Sequence, residues 1–241
     1  MYFLPAEQLR LYRNFKAIEV NDFFGLIRYY EQYEDGIRAL DFHEYLDCTL
    51  LYTHSLFEAG DYGKHLVMCD HLLELVIMRN VDVWEGEDLY HYLLFKKATA
   101  LYYMQEYHKS ERILYEIIKI YPEDRLAAVF LNKALLKQKP RWLFIARAAT
   151  VAFALMAVMV IALEILAVPT FFPELLQPFQ WAHNLLIGLS LACLFVGEAW
   201  HALHCLLKTR RFVSKASFRK RGQVSSLKFK VGKFQAPGQA I

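Results

Sequence analysis

Two apolar runs, Trp142–Val168 and Trp181–Leu207, dominate the C-terminal part of this chain, and the dozen residues between them contain no Lys or Arg. A helix needs about 20 residues to cross a hydrocarbon core of about 30 Å. At about 1.5 Å per residue the first run reaches about 39 Å, enough to span with some tilt. The expected architecture is a multi-pass membrane protein with two spans, residues 142–168 and 181–207, joined by a short external loop, residues 169–180.

Charge divides the chain in the same way. Residues 1–132 carry 13 Lys and Arg against 22 Asp and Glu, a net of −9, whereas residues 208–241 carry ten Lys and Arg and no acid. Opposite charge at the two ends implies different surroundings. Lys133, Lys137, Lys139, Arg141 and Arg147 precede or open the first run. Lys208, Arg210, Arg211, Lys215, Arg219, Lys220 and Arg221 follow the second. The loop holds only Glu174, so the positive-inside rule puts both termini in the cytoplasm, with the bacterial inner membrane as the expected location. Trp142, Phe171, Phe172, Phe179 and Trp181 fall at the expected interfaces, and Pro169, Pro173 and Pro178 are expected to keep the loop out of helix. The basic tail, residues 208–241, interleaves its cations with Phe212, Phe218, Phe229 and Phe234. Near an anionic membrane each such cation contributes about 1 kcal/mol. Nucleic acid attracts the same charges, but a tail that begins at a membrane meets lipid first, so no nucleic-acid partner is expected. Cys48, Cys69, Cys193 and Cys205 have neither zinc nor redox spacing, which suits a reducing compartment. No cleavable signal peptide is expected.

Up to Lys139 the apolar residues recur at three- and four-residue spacing, in seven stretches from Leu9–Val20 to Leu126–Leu136, and no stretch alternates cleanly enough for a strand. Asp35-Gly36, Gly60-Asp61, Asn80 to Gly86, Gln105 and Tyr121-Pro122-Glu123-Asp124 are read as breaks. Two helix pairs look alike. In the second, Ala98, Leu101, the turn Gln105-Glu106-Tyr107, Ser110, Leu114, Ile117 and Pro122 fill every place of a tetratricopeptide repeat, and the pair resembles that family. An earlier pair, Leu56, Gly60-Asp61-Tyr62 and Leu72, matches at the turn, but His65 stands for the small residue of the second helix and Ile77 for the closing proline. Tyr62 and Tyr107 are 45 positions apart against a family period of 34, and the segment Asn80–Asp88 is read as a longer loop that holds the excess. The resemblance covers about residues 46–124. The fold class expected is all-α: TPR-like helical-hairpin repeats over residues 46–139 with a closing helix, an N-terminal helical hairpin at residues 1–45, then the transmembrane hairpin.

The resemblance implies a concave groove lined by the first helix of each pair. It presents Leu50, His54 and Phe57 from one unit and Tyr92, Phe95, Thr99, Tyr102 and Tyr103 from the next. The Lys, Arg and Asn set that grips a terminal carboxylate is not met, and the rings suit an apolar helix or extended peptide. In the apolar runs, depth register sets Arg147 near residue 202, within about a turn of Glu198 and His201. The same register sets Glu164 beside His183 and Asn184. These are read as two polar clamps that fix helix pairing, with a proton or ion path as the alternative. Glu198, His201 and His204 share neighbouring helix faces, the basis for a metal or haem alternative. No catalytic set is present. Gly60 to Lys64 lacks phosphate-loop spacing, and His43-Glu44 is not followed by the second His of a zinc-protease helix. The expected function is therefore a non-enzymatic scaffold or accessory protein, without a cofactor. It would hold a protein partner at the cytoplasmic face and anionic lipid at its tail, with homo-oligomerisation open. A subunit of a transport or pore complex and a metal- or haem-binding membrane protein are the alternatives.

Overall fold

Aspartates start four of the helices. Asp22, Asp61 and Asp88 each accept a backbone N–H three residues on, at 2.9, 3.2 and 2.9 Å, and Asp124 accepts from Leu126 and Ala127. Each supplies an acceptor that the first turn of a helix lacks. The computed structural model describes residues 5–81, 83–84, 86–166 and 176–234, without the side chains of 5, 6, 87, 176 and 222–234. Among the described residues there are ten helices: α1 (Pro5–Lys16), α2 (Phe23–Gln32), α3 (Glu34–Arg38), α4 (Phe42–Glu58), α5 (Tyr62–Arg79), α6 (Leu89–Tyr103), α7 (Tyr107–Ile120), α8 (Arg125–Lys137), α9 (Arg141–Leu166) and α10 (Leu176–Phe234). The class is all-α. The segment read as a plain loop carries a two-residue antiparallel ladder, β1 (Val83–Trp84) with β2 (Glu87–Asp88), turned at Gly86 with φ 88°. The chain forms two compact units, Met1–Ala134 and Leu135–Ile241.

The first 45 residues make three helices and the start of α4, not one hairpin. Asp35-Gly36, read as a break, lies inside α3: Glu34 and Asp35 occupy its first turn, where the helix dipole favours negative charge, and Ile37 anchors it in the core. Phe15, Leu26, Tyr30, Ile37, Cys48, Tyr52 and Leu56 form that core. The Tyr30 and Tyr52 rings stack 4.0 Å apart at 7°. The Tyr30 hydroxyl lies 3.1 Å from Thr49 Oγ1, which in turn donates to the Tyr45 carbonyl. Burial pushes both stacked phenols well above their ordinary range. Tyr12 donates to Asp47 at 2.8 Å, and Lys16 pairs with the same carboxylate oxygen, tying α1 to α4.

The pairs α4–α5 and α6–α7 repeat each other at an offset of 45 residues, bond by bond. Asp61 N donates to Leu56 O, and Glu106 N to Leu101 O. Gly60 has φ 83° and Gln105 has φ 65°, the left-handed step that reverses the chain. His65 Nδ1 meets the Thr53 carbonyl at 2.8 Å, and Ser110 Oγ donates to the Ala98 carbonyl at 2.8 Å. The buried positions match as well: Thr53 and Ala98, Leu56 and Leu101, Cys69 and Leu114, Leu72 and Ile117. The imidazole, far bulkier than a serine, thus makes the same inter-helix bond from the same place.

In the second unit α9 and α10 run antiparallel, as the contacts of Arg147 with Glu198 and of Glu164 with His183 require. Both are long and apolar enough to cross a membrane, and only 6% and 17% of their most apolar stretches is buried within the protein. The core helix of a soluble domain would be mostly covered. Small residues bring the two axes together: a Cβ on Gly197 would lie 3.4 Å from that of Ala146, and Ala157 and Ser190 are buried. Pro178, read as a helix breaker, lies in the first turn of α10, where no intrahelical N–H is needed. Of the loop reading, residues 167–175, with Pro169, Phe171, Phe172, Pro173 and Glu174, lie outside the described residues. Beyond Leu207 the helix does not stop: α10 runs unbroken for 59 residues.

Candidate functional site

Two adjoining cavities of about 350 and 360 Å³ lie along α4, α6 and the start of α8, and Tyr92 bounds both. Leu50, His54, Trp84 and Asp47 line the first; Phe95, His91, Asp88 and Asp124 line the second. The Tyr92 hydroxyl stands 3.3 Å from His54 Nδ1. Burial, and then the nearby Lys96 ammonium, lower the affinity of His54 for a proton, so it is neutral at pH 7. In the second cavity His91 Nε2 lies 2.8 Å from Asp124, and the Tyr121 hydroxyl donates to Asp88. The first cavity is walled by an indole and a phenol beside one carboxylate, the second by a phenol and a phenyl beside two.

Of the groove residues read from sequence, Leu50, His54, Tyr92 and Phe95 line these cavities, and the other four do not. Thr99 is buried and donates to the Phe95 carbonyl of its own helix. Tyr102 packs on Tyr107 and on Phe130 of α8. Tyr103 stacks on Tyr62 at 5.3 Å, and Phe57 packs on Tyr62 and His65 under the Lys96 ammonium, 4.1 Å from its ring. Asp47, Trp84, Asp88, His91 and Asp124 were missed. Asp88 and Asp124 carry a signal in the sequence, because each precedes a helix, but capping alone does not show that both open on one cavity.

Buried His65 also lies within 3.3 Å of Cys69 Sγ. Burial pushes the Cys69 and Cys48 thiols up to about 12, so both stay protonated and unreactive. Desolvation lowers the His65 pKa from its ordinary 6.5. The unfolded chain therefore binds a proton below about pH 6.5 that the folded chain resists. Stability is full above that pH and falls beneath it, by up to about 1.4 kcal/mol per pH unit from this residue. His65→Ser keeps a donor for Thr53 O, as Ser110 does for Ala98. Its thermal unfolding between pH 7 and 5 is expected to show a flatter pH dependence than the parent chain, with the residual slope left by His54.

In the hairpin, Arg147 Nε donates to Glu198 Oε1 at 2.8 Å and its Nη2 contacts the same oxygen. At the other end His183 Nδ1 stands 2.7 Å from Glu164 Oε2, close enough for an ion pair but off the hydrogen-bonding direction. Asn184 is exposed and takes no part. His201 is buried elsewhere: its ring meets Trp142 edge-to-face at 6.0 Å, with Nε2 3.4 Å from the Leu136 carbonyl. His204 is exposed. Glu198, His201 and His204 therefore diverge. Among the described residues no group of three or more His, Cys, Asp or Glu is placed to hold a metal ion. Between the clamps Ser190 Oγ donates to the Thr150 carbonyl at 3.1 Å, a cross-helix bond that the sequence reading missed.

Compared with known proteins, the chain matches no family model, no curated protein and no solved structure.

Lys208, Arg210, Arg211, Lys215, Arg219, Lys220 and Arg221 are exposed on the basic extension of α10, while Thr209, one turn after buried Cys205, is covered. The side chains of Phe229 and Phe234 lie outside the described residues. At about 1.5 Å per residue, Arg219 stands about 16 Å further along the helix than Lys208. That distance exceeds the Debye length of about 8 Å at physiological salt.

Proposed function

We propose that this chain is a membrane-anchored binding protein. In this reading α9 and α10 span the bilayer, both termini face the cytoplasm, and a helical-repeat unit resembling tetratricopeptide repeats presents its groove to a segment of a partner protein. The observation that carries the reading is the pair of cavities sharing Tyr92. Aromatic walls beside carboxylates suit a peptide that offers apolar side chains and a Lys or Arg, through cation–π and charge-assisted contacts. The net charge of −9 over residues 1–132 favours the encounter. The orientation is supported by the cations that precede α9 and follow the apolar part of α10, against none in the connecting loop. Trp181 and Trp200 support the span itself: both are exposed, and 19 residues, about 28 Å of helix, separate them, close to the thickness of a hydrocarbon core. Both ionisable pairs within the hairpin are spent on each other, which favours an anchor over an ion path.

The test is photo-crosslinking of the full chain in native membranes, from a probe at Leu50 and, as a control, from exposed Val67 on α5. A discrete adduct from position 50 alone is expected. Tyr92→Ala removes the shared wall and should weaken capture of that partner about 30-fold, the size of an interface hot spot of about 2 kcal/mol. An adduct unaffected by Tyr92→Ala, or equal labelling from position 67, overturns the reading.

A further inference from the structure

We propose that the extension of α10 past Leu207 is an arm that binds single-stranded nucleic acid, through a row of unpaired cations with one aromatic ring among them. The proposal rests on the reading that the hairpin spans a bilayer, and it departs from the expectation that the basic tail meets lipid first. Arg210, Arg211, Lys215, Arg219 and Arg221 are exposed and form no hydrogen bond or ion pair among the described residues. Lys208 and Lys220 have partners already and take no part. Residues 208–241 contain no acid to neutralise the row.

The cations lie on one side of the arm. Arg211, Lys215 and Arg219 follow at four-residue spacing, and Phe218, 81% exposed, comes three residues after Lys215 and seven after Arg211, on the same face. On the other side Thr209 is buried, and Val213 and Ala216 are partly covered. A ring that stands in water amid cations is not packing the protein. It offers a base a surface to stack on, while the guanidinium forks beside it take phosphate oxygens two at a time. Stacking of this kind needs an unpaired base, hence a single strand. Reach decides against the bilayer as the target of the whole row. Arg219 and Arg221 stand about 18 and 21 Å of helix past Leu207. The headgroup layer is about 5–7 Å deep and the Debye length at physiological salt is about 8 Å, and the two together fall short of both residues. Residues 208–221 hold neither Pro nor Gly, so the helix does not fold back onto the surface. An acidic protein segment would match the charges but leave the ring unused.

The experiment measures the fluorescence anisotropy of a labelled oligouridylate of about 12 nucleotides on the full chain in phosphatidylcholine nanodiscs. With about five phosphates neutralised, affinity is expected to fall about 100-fold between about 50 and 200 mM salt. Arg211→Gln/Lys215→Gln/Arg219→Gln should weaken binding and cut that salt dependence to below about tenfold. Lys137→Gln/Lys139→Gln/Arg141→Gln removes as many exposed cations around the start of α9 and should leave affinity within about threefold. Phe218→Ala should weaken binding about tenfold with the salt dependence intact, and Phe218→Trp should keep it. A control triple that loses as much as the arm triple, or Phe218→Ala without effect, overturns the site. Polyglutamate of the same length that displaces the RNA equally well assigns the arm to an acidic protein. Phosphatidylglycerol at about 30% of the disc that weakens RNA binding more than about tenfold assigns it to lipid. Either result overturns the proposal. A chain that stays dispersed without lipid or detergent overturns the spanning reading, and the proposal with it, before any RNA is added.

Discussion

Arg147→Leu and Glu198→Leu, made singly, are each expected to destabilise the α9–α10 pair by about 2 kcal/mol, and made together by much less. The side chains of Arg147 and Glu198 are 39% and 44% exposed on the protein surface. In water such a pair is worth only about 0–1 kcal/mol. In a bilayer the surrounding medium is hydrocarbon; a charge without its partner costs about 2.5–3.5 kcal/mol at the centre of a spanning helix and less towards its end, where this pair lies. Removing both ends of the pair leaves nothing to desolvate, which is why the double variant recovers. The exchanged pair Arg147→Glu/Glu198→Arg should also recover. The measurement is a double-mutant cycle on unfolding of the full chain in lipid vesicles. Near-zero costs for both single variants would contradict a hydrocarbon setting for this hairpin.

The second large effect comes from the repeated packing in the first unit. Leu72 on α5 and Ile117 on α7 occupy equivalent places 45 residues apart, and both are fully buried. Leu72→Ala and Ile117→Ala are each expected to cost about 2–5 kcal/mol, from lost transfer energy and an unfilled cavity. For a unit of this size about 3 kcal/mol shifts Tm by roughly 10 °C. Val67→Ala on the exposed face of α5, 68% accessible, should stay within about 0.5 kcal/mol. Near-UV circular dichroism of the full chain in detergent, where the tyrosines report tertiary packing, measures all three. If the two repeat positions differ several-fold in cost, their equivalence is one of backbone alone.

Helix identity was legible because each amphipathic stretch kept a period near 3.6 residues, and the apolar pair because each run is uninterrupted over more than 20 residues. The match between α4–α5 and α6–α7 was legible at the turns, where Gly60-Asp61-Tyr62 and Gln105-Glu106-Tyr107 align. Residues 1–45 were not: α3 is five residues long, too short for a periodic signal, and its Asp-Gly pair reads locally as a break. The groove was half legible. Periodicity puts Tyr92, Phe95, Thr99 and Tyr102 on one face of α6, but it cannot say that Phe130 of α8 covers the far end of that face and leaves the near end open. In the hairpin, depth counting placed Glu164 beside His183. It set Arg147 about a turn beyond Glu198, which its long side chain nevertheless reaches. The small residues Gly197 and Ala146, which set how closely the helices approach, give no such count.

The uninterrupted course of α10 has a mechanical consequence. Past Leu207 it continues for 27 residues to Phe234, about 40 Å of rod with no proline hinge. Spanning helices answer a change in bilayer thickness by tilting. A tilt of about 10° in the apolar part sweeps the far tip of such a lever sideways by roughly 7 Å. On the topology proposed above, the cationic arm converts a thickness change in the lipid into a lateral displacement on the cytoplasmic side, without any loop having to refold.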